Sequence, residues 1–590
     1  MPEVTEGFVS LVDGMQGGVE PMLTKETSFS VGVNVTGRRG LLQTRPSFRK
    51  VADIPSGLYQ GAGRWSLNGG DRIVLSLGGV IYYIDCDTYS ISSVPTEILS
   101  PIVSKCYFNQ IDRWFMIQDG AGRPVVLEED DSGSVVLFGR DDPKVSYVVG
   151  TVGCYAHGRF HYSPIYVPTL TPDPETLPTA VPVASEEPGR MGFVSSDVMD
   201  LLNPEYVFRM SEHRVVAEGG EMSMPQELGF VTAMAALRNA DTGTGVGALV
   251  VFARNGVSAF DVSITRAQWK TTQISQVLFT GASTQSPWSV CSVNGDLFYI
   301  DDEGHVRTLR YSTSEVKNAL TSLPISNELV PYVMKNNLSI ASTAFVDNRL
   351  LATFCGHDTL SHFRALASLD LAVLQARGAS PQSMYDGLWT GFKFKQVLSA
   401  FSGGVTTLFA IVEKDDGAHA LMVLDDDDVY DEGSVPIESQ IVTRTFLFKS
   451  PTDQKLLKYV ELWLADIQSN TTVSVYVRPS GYPYWQLVGT KALIVPDGTP
   501  AQVRRGLRFS VDFNAAKEDT VNNEKLTMGS GLQFLIKWRG RMKIETFRAT
   551  ASVDIVAPPA CEEDNPESEE YEVVPGSVEE FDPFEYEVPL

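Results

Sequence analysis

Long apolar runs are missing from this 590-residue chain. No stretch of about eighteen apolar residues occurs, so no membrane-spanning helix is predicted. The opening residues, MPEVTEGFVSLVDGMQGG, have no basic segment followed by an apolar one, so no secretory leader is expected. Cysteine is scarce: Cys86, Cys106, Cys154, Cys291, Cys355 and Cys561 are scattered, and no pair has metal-ligand spacing. Such thiols are read as buried and reduced, in a protein made in a cytoplasm. Basic residues are also in deficit, with 47 Lys and Arg against 73 Asp and Glu and a net charge of −26. A broadly acidic surface repels phosphate backbones, which argues against sequence-specific duplex binding. It is compatible with a channel wall along which DNA slides without sticking. Long amphipathic helices are few; residues 195–202, 227–238 and 362–377 are the best candidates.

Catalytic signatures are equally sparse. There is no HExxH, no GxSxG elbow and no phosphate-binding GxxxxGK[ST]. His157 and His161 have a spacing that binds metal on a helix, but they fall in a predicted hairpin, where that spacing shares no helical face. Gly243, Gly245 and Gly247 precede a strand instead of opening a helix, which disfavours a nucleotide cradle. The run Asp425, Asp426, Asp427 and Asp428 could chelate a divalent cation through several oxygens, although its spacing is not that of an EF-hand and a solvated acidic loop is the plainer reading. No cofactor and no catalytic set is predicted, and the chain is not expected to be an enzyme.

What the sequence does contain is repetition. Seven hairpins recur over the first 430 residues, at 71–85, 112–128, 147–162, 247–262, 295–310, 347–360 and 406–424. The turns Gly78-Gly79, Asp119-Gly120, Asn255-Gly256, Glu303-Gly304 and Asp416-Gly417 lie between runs rich in Val, Ile, Leu, Phe and Tyr. Strand pairs at this spacing predict a mainly β chain built on a propeller of about six to seven blades. Ordinary hairpins of a β-sandwich are the competing reading, which the even spacing disfavours.

The propeller is placed at 51–437, with an inserted loop at 163–230 whose first part, 163–190, is proline-rich. Residues 438–556 carry longer alternating strands at 440–448, 458–465, 472–478, 507–513, 532–538 and 543–556, and read as an antiparallel sandwich or barrel. Residues 1–50 read as an extended arm whose basic cluster, Arg38, Arg39, Arg45, Arg49 and Lys50, would dock on an acidic neighbour unless it is a solvated turn. Residues 557–590 form an acidic tail in which Tyr571, Phe581, Phe584 and Tyr586 could anchor a partner contact. Twelve acids and no base lie in 561–590.

Three segments resemble a known family. Residues 32–51 (GVNVTGRRGLLQTRPSFRKV), with Arg45, Pro46, Ser47 and Phe48 close to an R-P-G-F pattern, look like the opening of tail nozzle and tail-tube-end proteins of short-tailed bacteriophages. Residues 248–260 and 286–309 resemble the family's later hairpin units. The resemblance implies a non-enzymatic virion protein, made in the host cytoplasm. Such proteins form a ring, commonly of six copies, that closes the DNA channel at the tail end. The implied partners are further copies, an adaptor or tail-tube protein above, a fibre or spike, and genomic DNA passing without sequence-specific contact. The competing readings are a receptor- or carbohydrate-binding tail protein and a polysaccharide-degrading tail enzyme, the last using exposed aromatics such as Trp389, Trp463 or Trp485.

Overall fold

Alternating apolar strands separated by tight turns leave little room for helix, and the computed structural model is almost wholly β. It describes all residues except 1–2, 12, 39–40, 95–98, 140–148, 166–190, 201, 210–220, 238–246, 270–274, 294, 310–324, 357–364, 372–383, 427–429, 433, 496–503, 512–526, 555–577 and 581–590. Two units divide the chain. One holds residues 50–363 and 392–423, the other residues 1–49, 364–391 and 424–590.

The first unit is a six-bladed propeller. Blade I is Tyr59–Leu67, Gly70–Leu77, Val80–Asp85 and Ile91–Ser93; blade II is Tyr107–Ile111, Trp114–Gln118, Val125–Glu129 and Val135–Leu137. Blade III is Gly150–Ala156, Arg159–Pro164, Gly192–Ser195 and Glu221–Ser223; blade IV is Val231–Ala236, Leu249–Ala253, Gly256–Phe260 and Ser275–Thr280. Blade V has three strands among the described residues, Val290–Val293, Asp296–Ile300 and Val306–Thr308. Blade VI joins Lys393–Ser402, Val405–Glu413 and His419–Asp425 to Ser47–Ile54, a strand from the opposite end of the chain. The first strands of blades I to IV pack side by side, the Pro287–Ser289 turn carries the contact on to blade V, and blade VI packs beside blade I. The hairpin of Leu338–Val346 and Arg349–Gly356 fills the interval between blades V and VI.

Tight turns set the strand registers. His157-Gly158, Asp347-Asn348, Gly78-Gly79 and Gly403-Gly404 each place two consecutive residues at positive φ between directly paired strands. That geometry matches the strand twist. The Asn255-Gly256 turn sits one residue earlier than expected: Ala253 pairs Gly256, so Arg254 and Asn255 make the turn.

Side chains staple several blades to their neighbours. Gln396 of blade VI accepts from Tyr59 Oη at 2.7 Å and from Ala62 N at 3.0 Å, and donates to Ala62 O at 2.8 Å, at the junction with blade I. Gln110 of blade II accepts from Ser66 N at 2.9 Å and donates to Ser66 O at 2.8 Å. Thr232 of blade IV donates to Thr284 O at 2.6 Å, and Ser286 donates to Ala341 O, also at 2.6 Å. Buried backbone groups at the seams thereby find partners.

The second unit is a sandwich of two sheets. Gln454–Ala465 is central to one, between Arg505–Ser510 and Lys543–Asp554; Lys543–Asp554 also pairs with Glu3–Phe8 and Leu42–Thr44. The other runs Ala365–Asp370, Met384–Thr390, Ser28–Val33, Glu438–Thr443, Leu532–Arg539, Thr471–Pro479 and Tyr484–Leu493. Phe547 and Phe8 from the first sheet meet Phe534 of the second and the neighbouring Phe446, with centroids 5.2–5.6 Å apart. These rings hold the two layers together.

Several expectations are revised. Residues 1–50 are not a free arm, because Glu3–Phe8, Ser28–Val33 and Leu42–Thr44 are paired strands of the sandwich and Ser47–Ile54 completes blade VI. The stretch 163–230 is not a simple insertion, since Gly192–Ser195 and Glu221–Ser223 are the outer strands of blade III; residues 166–190 lie outside the described residues. Among the described residues none of the three candidate helices is present: strands Gly192–Ser195, Val231–Ala236 and Ala365–Asp370 occupy parts of those stretches, β pairing having overridden local helical periodicity there. The six late strands all appear close to their expected places. The acidic tail contributes Val578–Glu580, which pairs with Tyr484–Gln486 of its own chain.

Phe547 is fully buried in the ring cluster. Phe547→Ala should cost about 3–5 kcal/mol of stability by leaving a cavity. Denaturant unfolding followed by far-UV dichroism reads this as a lower midpoint with an unchanged slope.

Candidate interaction surface and buried polar sites

The basic cluster at the start of the chain is where docking was expected, and the structure uses its described members internally. Arg45 is 1% exposed. Its Nη1 and Nη2 donate to the two carboxylate oxygens of Asp431 at 3.0 and 2.6 Å, in a bidentate pair. Nε donates to Asn34 Oδ1 at 2.9 Å, and the remaining protons reach Pro46 O and Thr390 O. The guanidinium lies 5.2 Å from the Phe48 ring centroid, and Phe48 N donates to Asp431 Oδ1 at 2.9 Å. Asn34, held at φ +54°, extends the knot: its Nδ2 donates to Thr390 Oγ1 and Glu438 O. Trp389 packs edge-on against Phe48 and donates to Val35 O.

Arg45 therefore belongs to no exposed patch. Its charge is spent on a carboxylate 386 residues away in sequence. Arg38 pairs with the buried Asp370 at 3.3 Å, Arg49 with Asp425 at 3.1 Å and Lys50 with Asp53 at 3.2 Å; Arg39 lies outside the described residues. The acidic partners of this cluster lie within the chain itself.

The acidic run is split between uses. Asp425 holds Arg49 and accepts Ser47 Oγ on its backbone oxygen, and Asp426 O accepts from Arg541. Asp427 and Asp428 lie outside the described residues. Among the described residues no group of three His, Cys, Asp or Glu is arranged to hold a metal. The four tail aromatics, Tyr571, Phe581, Phe584 and Tyr586, also lie outside them.

His157 and His161 are directed to separate tasks. His157 sits in its hairpin turn with Nε2 2.8 Å from Gly247 O. His161 is fully buried, with Nδ1 2.5 Å from Ser195 Oγ and Nε2 3.3 Å from Ala156 O, between the rings of Phe193 and Trp269. Burial lowers its pKa to about 3, so the ring is neutral.

Two sites were not legible in the sequence. Trp288, at the entry to blade V, reaches the first strands of blades I and II: a Cβ on Gly61 would lie 2.6 Å from its indole and 3.0 Å from Phe108. Those blades are not neighbours of blade V, so the Trp288 side chain reaches across the propeller. Lys105 Nζ lies 5.0 Å from the Trp288 centroid and 5.8 Å from that of Tyr107, and desolvation lowers its pKa to about 8. The second site is the outer face of the first sandwich sheet. Of the three tryptophans that the polysaccharide-degrading reading needs exposed, Trp389 and Trp485 are buried, whereas Trp463 is 49% exposed.

No family model matches the chain, and no curated protein matches it. Solved propeller structures are similar to it at low identity. The Cps50 (Swd1) β-propeller domain of Myceliophteria thermophila is 11% identical, covering 64% of this chain and 99% of its own, with a TM-score of 0.35. The RRP9 WD40 repeats are 11% identical over 65% and 99%, with a TM-score of 0.38. A chain of the mitotic checkpoint complex is 10% identical over 65% and 96%, with a TM-score of 0.37. The propeller assignment rests on the strand order described above.

Removing either partner of a buried ion pair strands the other charge. Arg45→Met and Asp431→Ala should each cost about 3–5 kcal/mol, and the double variant less than their sum. A double-mutant cycle from urea melts measures the coupling. A second expectation concerns pH. The unfolded His161 takes up a proton near its ordinary pKa of 6.5 while the folded ring resists until about 3. The unfolded state then binds more protons in that window, so the contribution is fully present above pH 6.5 and is lost progressively as pH falls towards 3. His161→Gln should flatten the stability profile between pH 6.5 and 4.5, read from melts at constant ionic strength.

Proposed function

We propose that this chain is a structural virion protein: one subunit of a ring at the tail end of a short-tailed phage, which closes the DNA channel and anchors fibres or neighbouring tail proteins. The reading is supported by where the resembling segments lie. Residues 32–51 hold the buried Arg45 knot and lead into the strand that completes blade VI, and residues 248–260 and 286–309 supply the hairpins of blades IV and V. All three are scaffold positions, which suits a subunit whose task is to keep shape under load.

The carrying observation is the Arg45–Asp431 knot, because it gives the R-P-S-F segment a mechanical purpose. Trp288 adds a constraint on the path of DNA. Its side chain reaches across the propeller from blade V to blade I, which favours a DNA channel between copies arranged around a common axis over one along the propeller's own axis. The acidic balance of the chain suits such a wall, since like charge keeps the polyanion from adhering.

The half-exposed Trp463 supports a second reading, a receptor- or carbohydrate-binding tail protein, because aromatic faces are common sugar platforms. Electron microscopy of the purified full chain separates the two readings. The ring reading predicts closed annular particles with a central hole. Particles that stay single copies at every concentration, together with saturable glycan binding lost in Trp463→Ser, would replace it with the second.

A further inference from the structure

On the strand Gln454–Ala465, Tyr459, Glu461 and Trp463 point away from the sandwich interior while Val460, Leu462 and Leu464 point into it. The neighbouring strands put Arg508 and Arg548 directly opposite Glu461, one on each side. Trp463 lies opposite Gly506, and a Cβ there would come within 3.2 Å of the indole; the glycine leaves one side of the ring clear of side chain. Arg508 lies over Tyr459, 3.6 Å from its centroid.

Both arginines are exposed, and neither has a carboxylate within ion-pair distance among the described residues. That separates them from Arg38, Arg45 and Arg49, each of which holds an acid. The two arginines flank Glu461, and Trp463, half in solvent, follows two residues along the same strand face; Trp and Arg side by side are the composition of a hot spot. In a chain of net charge −26, this face is a place where an acidic ligand meets attraction instead of repulsion.

The chain carries a ligand of matching chemistry. Residues 581–590, FDPFEYEVPL, bear three acids, three aromatic rings and no base. They follow Val578–Glu580, which is fixed on Tyr484–Gln486, an edge of the opposite sheet. The arginine face belongs to the other layer. Tyr484–Leu493 adjoins the edge strand Arg505–Ser510 where the two layers meet, so the anchor lies beside the arginine layer, and concentration dependence tells capture by a neighbour from capture by the same copy.

We propose that the Trp463–Arg508–Arg548 face receives residues 581–590 of a second copy, giving a head-to-tail contact between subunits. It does not rest on the virion reading, because any self-assembling chain with these surfaces would show it. Rings fall under that reading alone; pairwise capture of the tail falls under this one.

The experiment compares the full chain with a chain ending at Glu580, by sedimentation across a concentration series, and adds the synthetic decapeptide FDPFEYEVPL to the shortened chain. The full chain should self-associate and the shortened chain should not. The peptide should protect Trp463 from acrylamide quenching. Arg508→Glu with Arg548→Glu, both at exposed positions, should weaken peptide binding at least tenfold, and added salt should weaken it in the parent. Equal association of the long and short chains would overturn the proposal. So would equal peptide binding by the double variant, or concentration-independent protection of Trp463 in the full chain, which would mean that each copy covers its own face.

Discussion

The fold depends on one long-range constraint: the segment from Asn34 to Ile54 must be locked against residues that arrive almost four hundred positions later. The lock is a buried arginine whose guanidinium protons go to Asp431, Asn34, Pro46 and Thr390. A charge so deeply placed is tolerable only when every donor is satisfied, and losing one acceptor exposes the desolvation cost of the rest. Two residues beyond Arg45 the strand Ser47–Ile54 of blade VI begins, and that blade's other three strands come from residues 393–425. Ring closure and sandwich assembly thus both wait for the chain's ends to meet. High sequence separation of this kind raises loop-closure cost before contacts repay it, so slow folding is the expected companion of the design.

A propeller closed in this way gains rigidity from its seams. Gln396, Gln110, Thr232 and Ser286 satisfy backbone groups at the VI–I, I–II and IV–V junctions and at the following hairpin, so these seams hold by directional bonds as well as by apolar packing. Trp288 reaches across from the entry of blade V to the first strand of blade I. Among the described residues the charge is unevenly used: Arg38, Arg45 and Arg49 each hold an acid of the same chain, while Arg508 and Arg548 hold none.

Much of this was legible in residue order. The turns at Gly78-Gly79 and Asp416-Gly417 announced their hairpins through positive φ and Asx bonding, as in Asp416 Oδ1 accepting from Ala418 N at 2.9 Å. The alternation of Val473, Val475 and Val477, all fully buried, marked a sandwich strand. The fate of the arm was not legible. Arg45 and Arg38 look like any basic cluster until their acids are found at 431 and 370, and no local pattern links such distant positions. Residues 362–377 showed helical spacing, yet Ala365–Asp370 is a strand because a partner strand supplies its hydrogen bonds. Trp463 was visible as an aromatic; its exposure depends on Gly506, which is a neighbour only in three dimensions.

The central claim is that the first fifty-four residues are a structural clasp and not a docking arm. Native-state hydrogen exchange on the full chain and on a chain lacking residues 1–54 tests it most directly. The account predicts that Lys393–Ser402 and Val405–Glu413 in blade VI, and Glu438–Thr443 in the sandwich, lose their protection together. Unchanged protection in these strands would contradict it.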